Sequence, residues 1–583
     1  MLTYNRSYSL ILLLTGLFFS VLSIAQDTSK KKAVVKITGT MGITYEGYGL
    51  NVKPTGSNIY SARKPWNQVR FLFNPILQIG DKFSIPISMN FASMATNFAG
   101  PYAGLKNQTI GQFLTNPANN FSLNPKYKSF ELLLGTQYIK YSDLSTGDIG
   151  IFGAGFNLSP GKFRIKFFKG ISQQGVNHVP IPLPGIVGAY KRKHYMFQFG
   201  TEVEGVHKVA FTFSKTKDDI QSVTNPPLTV LPQEGFTVSF LLQRFFTSGW
   251  FVNFEIAQSV ITKDLNLPLL TVPDDVSIKP FINARTSSVK DQAALFSIGK
   301  KSENFDISYA TKYIGAGYQT TGYPFMQSDH WDNTVNTRLN LLNNKMNITA
   351  SVGQRVNNLS NTSLRATQFL GNLNLFSQIN DRLSLNVNYN NFGFQTVSGL
   401  NPFGIKNVSN DFGVNPTYSW TTENANHMLS LNYNYSKYDE RNVNTGITTS
   451  NNTHMVIMNY MPIYTVKTIT PDFSIMYFNN KIQSPSVKNS ILTFSAGLGV
   501  PLMDNKIQLK GQMQYAIGKL NSFSSNNNLI LSCNVDYKIN KKLTWNSFLS
   551  TNYFRYGNEL GLVPLFGANY LESNVRTGLS YKW

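Results

Sequence analysis

The 583-residue sequence offers few side chains whose types and spacing could perform catalysis. No two of its histidines stand at the HxH or HxxxH spacing that would hold a metal ion. Most of them fall in or beside predicted loops and turns, where a surface or interfacial role is the simpler interpretation. The six histidines are His178, His194, His207, His330, His427 and His454.

His330 lies close in sequence to Asp329 and Asp332, a group that could be compared with the rim site of a membrane-embedded hydrolase. A solvated extracellular loop accounts for the same residues more simply. No GxSxG, GxxxxGK[ST] or GxGxxG motif occurs in a strand–helix context. The single cysteine, Cys533, excludes internal disulfides and a cysteine-based metal site. We therefore expect no enzymatic activity, no cofactor and no metal.

The N-terminus has the three parts of a secretory signal peptide. Arg6 supplies a positive charge, residues 10–22 are apolar, and Ser23-Ile24-Ala25 is a small-x-small cleavage site. An N-terminal membrane anchor is the alternative, although the following Lys30-Lys31-Lys32 disfavours it. We predict a signal peptide over 1–25 and a short periplasmic segment over 26–33. Export also argues against nucleic acid as the partner of this basic chain, whose net charge is +22.

After residue 25 no stretch approaches the ~20 apolar residues of a transmembrane helix. Instead, apolar and polar residues alternate along segments such as 383–389, 429–435 and 531–539. Successive side chains of a strand face opposite ways, so each segment has one apolar and one polar face. Charged residues are only 14% of the chain and aromatic residues reach 13%, as suits a wall with one face in lipid. These patterns predict a transmembrane antiparallel β-barrel over 34–583.

Short turn sequences separate the strands at regular intervals and fix their number. Six are explicit, and six more are expected near Pro125, Glu204, Gly249, Glu303, Asn424 and Thr470. Twelve turns predict about 26 strands, with 22 to 26 acceptable. The explicit turns are Gly80-Asp81-Lys82, Ser159-Pro160-Gly161, Asn343-Asn344-Lys345, Asn380-Asp381-Arg382, Asp504-Asn505-Lys506 and Asn540-Lys541-Lys542.

The longer connections should be extracellular, and the short turns periplasmic. A ring of about 26 strands is about 50 Å across the backbone, so something must fill it. No plug of the size used by TonB-dependent transporters fits between Gln26 and the first predicted strand at Val34. We therefore expect loop 258–292 or loop 95–123 to fold inward. The predicted extracellular loops are 49–65, 95–107, 172–188, 217–234, 258–292, 318–331 and 394–411.

Basic residues recur on the polar faces of the predicted strands, which suggests a basic lumen that favours anionic solutes. Alternatively, lysine and arginine near strand ends flank the membrane and contact lipid phosphates. The candidate lumen-facing residues are Arg164, Lys166, Lys510, Lys538 and Arg576.

The C-terminus ends in an alternating strand with a terminal aromatic residue, which is typical of the segment that barrels present to their insertion machinery. Val575, Leu579, Tyr581 and Trp583 are the apolar members of this predicted insertion signal.

The turn Asn124-Pro125-Lys126-Tyr127-Lys128 and the segment FGAGFNLSPGKFRIKFFKG at 152–170 resemble a family of Bacteroidota outer-membrane barrels. The similarity extends over about half of the chain. The resemblance implies an outer-membrane location and a barrel fold, and it transfers no catalytic or ligand residues, because that family has no assigned activity.

Three functions remain open. The first is a loop-occluded channel or the barrel component of a transport or secretion complex. The second is a structural barrel that displays loops or docks a partner without conducting. The third and weakest is an outer-membrane hydrolase. The partners expected are outer-membrane lipid and lipopolysaccharide, the insertion machinery, and a plug or lipoprotein partner.

Overall fold

The computed structural model is a single antiparallel sheet that closes on itself. It describes residues 35–583 except 54–63, 65–66, 93–118, 148, 179–187, 272–275, 362–364, 397–404, 443–447, 467, 485, 523–524 and 558–568. The predicted signal peptide and the segment 26–33 lie outside the described residues. Within the described part, no helix is both long and apolar enough to cross a membrane.

The strands are long, and each neighbour in sequence is also a neighbour in space. Segments β4 and β5 both pair with β3 and β6, so they form one crossing and the described chain makes 26 crossings. The segments are β1 (Val35–Lys53), β2 (Asn67–Ile79), β3 (Phe83–Ala92), β4 (Asn120–Leu123), β5 (Lys126–Tyr127), β6 (Phe130–Tyr138), β7 (Gly150–Leu158), β8 (Phe163–Gln173), β9 (Lys191–Val203), β10 (His207–Asp219), β11 (Glu234–Phe245), β12 (Trp250–Thr262), β13 (Ser288–Lys301), β14 (Phe305–Ile314), β15 (His330–Leu341), β16 (Met346–Asn357), β17 (Ala366–Gln378), β18 (Leu383–Thr396), β19 (Ile405–Thr421), β20 (Ala425–Asn442), β21 (Thr448–Tyr464), β22 (Thr470–Ile482), β23 (Val487–Leu502), β24 (Ile507–Leu520), β25 (Asn526–Lys538), β26 (Leu543–Arg555) and β27 (Asn569–Lys582).

The ring closes where the last strand meets the first. Strand β27 pairs with β1 from Thr40↔Lys582 to Lys53↔Asn569, so neither strand is left as an edge. Closure satisfies the backbone hydrogen-bonding groups that an open edge would expose to lipid. The predicted fold class, an antiparallel barrel of about 26 strands, is confirmed.

The turns lie at the predicted places. Positive φ angles at Asn343, Asn344 and Asn505 show the left-handed backbone that tight turns require. The turn expected near Pro125 closes slightly later, and Pro125 itself separates β4 from β5, because proline has no N–H for the ladder. Loops 217–234 and 318–331 fall between strands, although β10 runs to Asp219 and β15 already begins at His330; loop 172–188 lies mostly outside the described residues.

Loop 258–292 is shorter than predicted, because Gln258–Thr262 continues β12 and Ser288–Gln292 begins β13. The alternation of β12 extends farther than its sequence pattern suggested. Loop 95–107 lies outside the described residues, and loops 49–65 and 394–411 lie partly outside them.

The two faces of the sheet differ in chemistry and crowding. On β9, His194, Met196 and Gln198 are buried, whereas the alternating Phe197 and Phe199 are exposed. A closed sheet crowds side chains on its concave face, so the buried row faces the lumen. The exposed aromatic row then faces lipid, as in membrane barrels generally.

Glycines line the concave face of β7–β9, where neighbouring backbones approach closely. An added Cβ at Gly153 would overlap the carbonyl oxygen of Lys169, and one at Gly200 would overlap that of Val209. Side-chain-free positions let the wall bend sharply here. Gly153 and Gly155 thus face the lumen.

Replacing Gly153 with valine should prevent assembly of the barrel. The new side chain meets backbone of β8 that cannot move aside, at a cost of at least about 1–3 kcal/mol. Heat-modifiable migration on gels reports folding directly. Ala154→Val on the exposed outer face is the matched control and should fold normally; normal folding of the Gly153 variant would contradict the assigned close approach.

Candidate functional site

Residues 139–147, which join β6 to β7, fold into the lumen and are called inner loop A. The backbone N–H groups of Asp143 and Leu144 donate to the Glu255 carboxylate, each at 3.2 Å. Glu255 belongs to the concave face of β12 and is 1% exposed. The Gln198 amide of β9 donates to the carbonyl oxygen of Tyr141 at 3.0 Å. Because Gln198 and Glu255 lie near the middle of their strands, inner loop A reaches about half the depth of the barrel.

Residues 315–329, which join β14 to β15, form inner loop B beside inner loop A. The Gly317 N–H donates to the Asp291 carboxylate of β13 at 2.7 Å. The Tyr318 hydroxyl donates to the Leu144 carbonyl at 2.6 Å, and burial raises the pKa of this phenol, so it stays a donor. A backbone bridge joins Thr146 to Gly322. The two inner loops therefore form one hydrogen-bonded body held against the wall.

Two apolar clusters fix this body to the concave face. Tyr141 covers the first cluster, in which Leu133, Ile151, Phe168 and Met196 come from β6–β9. The second joins residues of both inner loops to β12, β13 and β14. Burial of aliphatic and aromatic side chains stabilises each by roughly 25 cal/mol per Å² of apolar surface removed from water. The members of the second cluster are Leu144, Tyr318, Ala257, Ala293 and Ile314.

The prediction that loop 258–292 folds inward is wrong. Its residues 276–284, called the outer loop, lie on the lipid-facing side of β10–β12. Phe281 stacks on Phe236 with ring centroids 4.7 Å apart, and Ile282 packs with Phe236 and Val260. Phe236 and Val260 share the outward register with Lys215, whose Nζ donates to the carbonyl oxygen of Phe281. The alternative, loop 95–123, lies mostly outside the described residues.

The remainder of the wall has a different inner surface. On β17, β18 and β24 the inward register carries amide side chains that are exposed to solvent, whereas Gln198 and Ser259 are at most 1% exposed. The lumen is therefore asymmetric, with a filled side at β6–β15 and a wetter polar side opposite. The exposed inward amides are Asn372, Asn374, Asn390 and Gln512.

The register places all five candidate basic residues on the polar inner face, but carboxylates accompany several of them. Arg164 pairs with Glu202 at 3.4 Å. Lys510 pairs with Asp472 at 3.5 Å. Lys166 lies over the ring of Tyr141 at 5.9 Å.

Lys538 and Arg576 complete the set. Lys538 ends β25 opposite Thr544, at the rim where the short turns lie. Arg576 pairs in register with Glu46, which itself forms an ion pair with Arg70 at 3.5 Å. Carboxylates thus lie beside some of the inward basic residues, Arg164 and Lys510 among them.

The histidines are more structural than their sequence positions suggested. His194 is fully buried on β9, donating to or accepting from Ser214 at 2.8 Å. His427 stacks on Trp420 with ring centroids 4.9 Å apart, in an outward aromatic group. His454 lies on β21 against Tyr435 at 4.9 Å. His194 and His454 lie within strands and not in or beside a loop, whereas His427 lies beside the turn predicted near Asn424.

His330 is buried at the start of β15, so the solvated-loop interpretation was wrong for it. Asp332 lies 3.7 Å from His330, but Arg355 holds the same carboxylate through two hydrogen bonds of 2.6 and 2.7 Å. Asp329 accepts instead from Ser360. This is an ion-pair network that joins β15 to β16. Among the described residues, no group of three or more His, Cys, Asp or Glu side chains could hold a metal ion.

The C-terminal residues lie on the outer wall. Val575 and Leu579 are exposed on β27, and Trp583 meets the ring of Phe73 edge-on at 6.0 Å. Tyr581 contacts Trp583 with ring centroids 5.4 Å apart. The four residues thus form an apolar strip beside the closing seam, and their recognition by insertion machinery remains a prediction.

No family model matches the chain. No curated protein matches it either. Among solved structures, it is similar to a mutant of the ferric enterobactin receptor PfeA from Pseudomonas aeruginosa, with 12% identity over 94% of this chain and 80% of that one, at a TM-score of 0.45. It is also similar to the P pilus usher PapC translocation pore, with 9% identity over 94% and 98% of the two chains and a TM-score of 0.36. At these values the likenesses carry no argument about activity.

The register, closure and apolar outer face define the class of this protein, a large transmembrane β-barrel. Its two inner loops fill one side of the lumen.

Oxidation should join inner loop A to the wall in the Ser142→Cys, Ser239→Cys variant. The two hydroxyls are 3.3 Å apart, so thiols at these positions can meet. Non-reducing gels after proteolysis between β6 and β11 report the bond, in a Cys533→Ser background. The pair Ser142→Cys, Ser532→Cys, which reaches the opposite wall, should not crosslink; equal crosslinking in both would contradict the inward fold.

Proposed function

We propose that this protein is an outer-membrane transport barrel whose aqueous passage runs along the polar side of the lumen, beside inner loops A and B. The observation that carries the proposal is the asymmetry of the lumen. A buried, hydrogen-bonded body occupies one side, and exposed amides such as Asn372 and Gln512 line the other. Polar linings of this kind hold water and hydrated solutes.

The outer-membrane location is part of the proposal. The predicted signal peptide supports export, and closed barrels with long strands and exposed aromatic rows suit a bilayer outside the cytoplasm. The resemblance to Bacteroidota barrels agrees with this placement and remains a prediction.

Removing inner loop A should enlarge the passage. In planar bilayers we expect replacement of residues 140–147 by a short Gly-Ser linker to raise single-channel conductance roughly twofold or more, because conductance grows with open cross-section. The wild-type barrel should conduct at a lower level.

A matched control shortens the outer loop, residues 276–284, which packs on the opposite face of the wall. This variant should conduct like the wild type. If wild type and the inner-loop variant are both silent while a second protein copurifies, the barrel is a docking scaffold and the transport proposal is wrong.

Ion selectivity should be weak, because inward cations face inward carboxylates. Freeing Arg164 and Lys510 by Glu202→Gln and Asp472→Asn should shift the reversal potential in a salt gradient toward that of chloride. Glu234→Gln removes one carboxylate from the outer face and should leave it unchanged. Strong anion selectivity of the wild type would contradict the charge matching.

A further inference from the structure

Five lysines occupy outward positions on the upper halves of β8–β10, where a membrane strand would ordinarily carry apolar residues. Lys169, Tyr195 and Lys215 form one cross-strand row. Directly below, toward the short turns, the next outward row is Phe167, Phe197 and Phe213. The outward side chains change from phenylalanine in one row to lysine in the next, and this change marks the edge of the apolar band. The five residues, called the wall lysine cluster, are Lys169, Lys191, Lys193, Lys215 and Lys217.

The outer loop covers the neighbouring strands at the level of Lys215. Phe236 and Val260, in register with Lys215, are 3% and 0% exposed because Phe281 and Ile282 cover them. Above the Phe213 row, the outward face of β10–β12 is therefore either charged or covered by protein. The row of Phe167, Phe197 and Phe213 is the last outward row below the lysines, and we place the lysines above it at the height of the headgroups.

The cluster holds more positive charge than its own carboxylates neutralise. Asp219 pairs with Lys193 at 3.2 Å, and Glu234 lies between Lys215 and Lys217 at 3.3 and 3.8 Å. The ammonium of Lys169 lies 5.1 Å above the ring of Tyr195. Two carboxylates against five lysines leave a positive surplus on a patch about 10 Å across.

From this geometry we propose that the wall lysine cluster binds the phosphates of an outer-leaflet phosphoglycolipid, with lipid tails packed on the Phe167, Phe197 and Phe213 row. An anionic headgroup with attached acyl chains matches both halves of the surface, whereas free phosphate matches only the upper half. The inference rests on the proposed outer-membrane placement and is independent of conductance.

The test compares two triple variants of equal charge change. Lys169→Gln, Lys193→Gln, Lys217→Gln alters the cluster and spares Lys215, which holds the outer loop. The control alters the inward Lys208, Lys510 and Lys538 to glutamine. Native mass spectrometry of the detergent-purified barrels counts retained lipopolysaccharide, and heat-modifiable migration confirms folding of both variants.

Affinity for added lipid A should fall about fivefold for each outer lysine removed, and the control should bind like the wild type. Lipid A without phosphates should bind the wild type no better than the variant. Equal binding by wild type and outer variant would overturn the proposal. Full competition by millimolar inorganic phosphate would overturn it in favour of a free-phosphate site. Loss of lipid binding with conductance intact would separate this inference from the proposed function.

Discussion

Hydrocarbon offers no partner to a backbone N–H or C=O group, and the whole architecture follows from that constraint. The chain meets it by pairing β27 with β1, so that every strand has two neighbours. Because a ring of this many strands encloses a space far wider than a side chain, closure creates a second problem inside the lumen. Inner loops A and B fill this space on one side of the lumen only.

The inner loops are held by a small number of buried polar contacts that depend on one another. Glu255 receives two backbone N–H groups of inner loop A, and Asp291 receives one from inner loop B. A buried carboxylate left without donors costs several kcal/mol, so wall and loops stabilise each other. Tyr318 links the two inner loops through its hydrogen bond to Leu144. The inward position of each loop therefore depends on the other loop as well as on β12 and β13.

Strand number, turn positions and the polarity of the two faces were predictable, because short stretches of sequence determine each of them. Alternating apolar and polar residues mark the strands, and turn-forming residues mark their ends. Whether a loop folds into the lumen or onto the outer face was not predictable, because it depends on which face of the wall the loop packs against. The length of 258–292 suggested that this loop would fill the lumen, yet amino-acid composition was the better signal. Val276, Ile278, Phe281 and Ile282 match the apolar outer face, whereas the polar sequence from Ser142 to Thr146 matches the inner one.

The ion pairs of the inner face could not be predicted from the sequence either. Arg164 meets Glu202, and Lys510 meets Asp472, across strands whose register is set by the whole ring. A count of basic residues on polar faces could not place the carboxylates that lie beside Arg164 and Lys510.

The outer loop has a mechanical consequence for the surrounding bilayer. It covers Phe236 and Val260 and exposes its own Phe281 in their place, so part of the outer surface at β10–β12 belongs to a loop and not to a strand. Lipid beside these strands must pack around this ridge instead of along a flat sheet. The ridge makes this side of the barrel wall different in shape from a plain sheet surface.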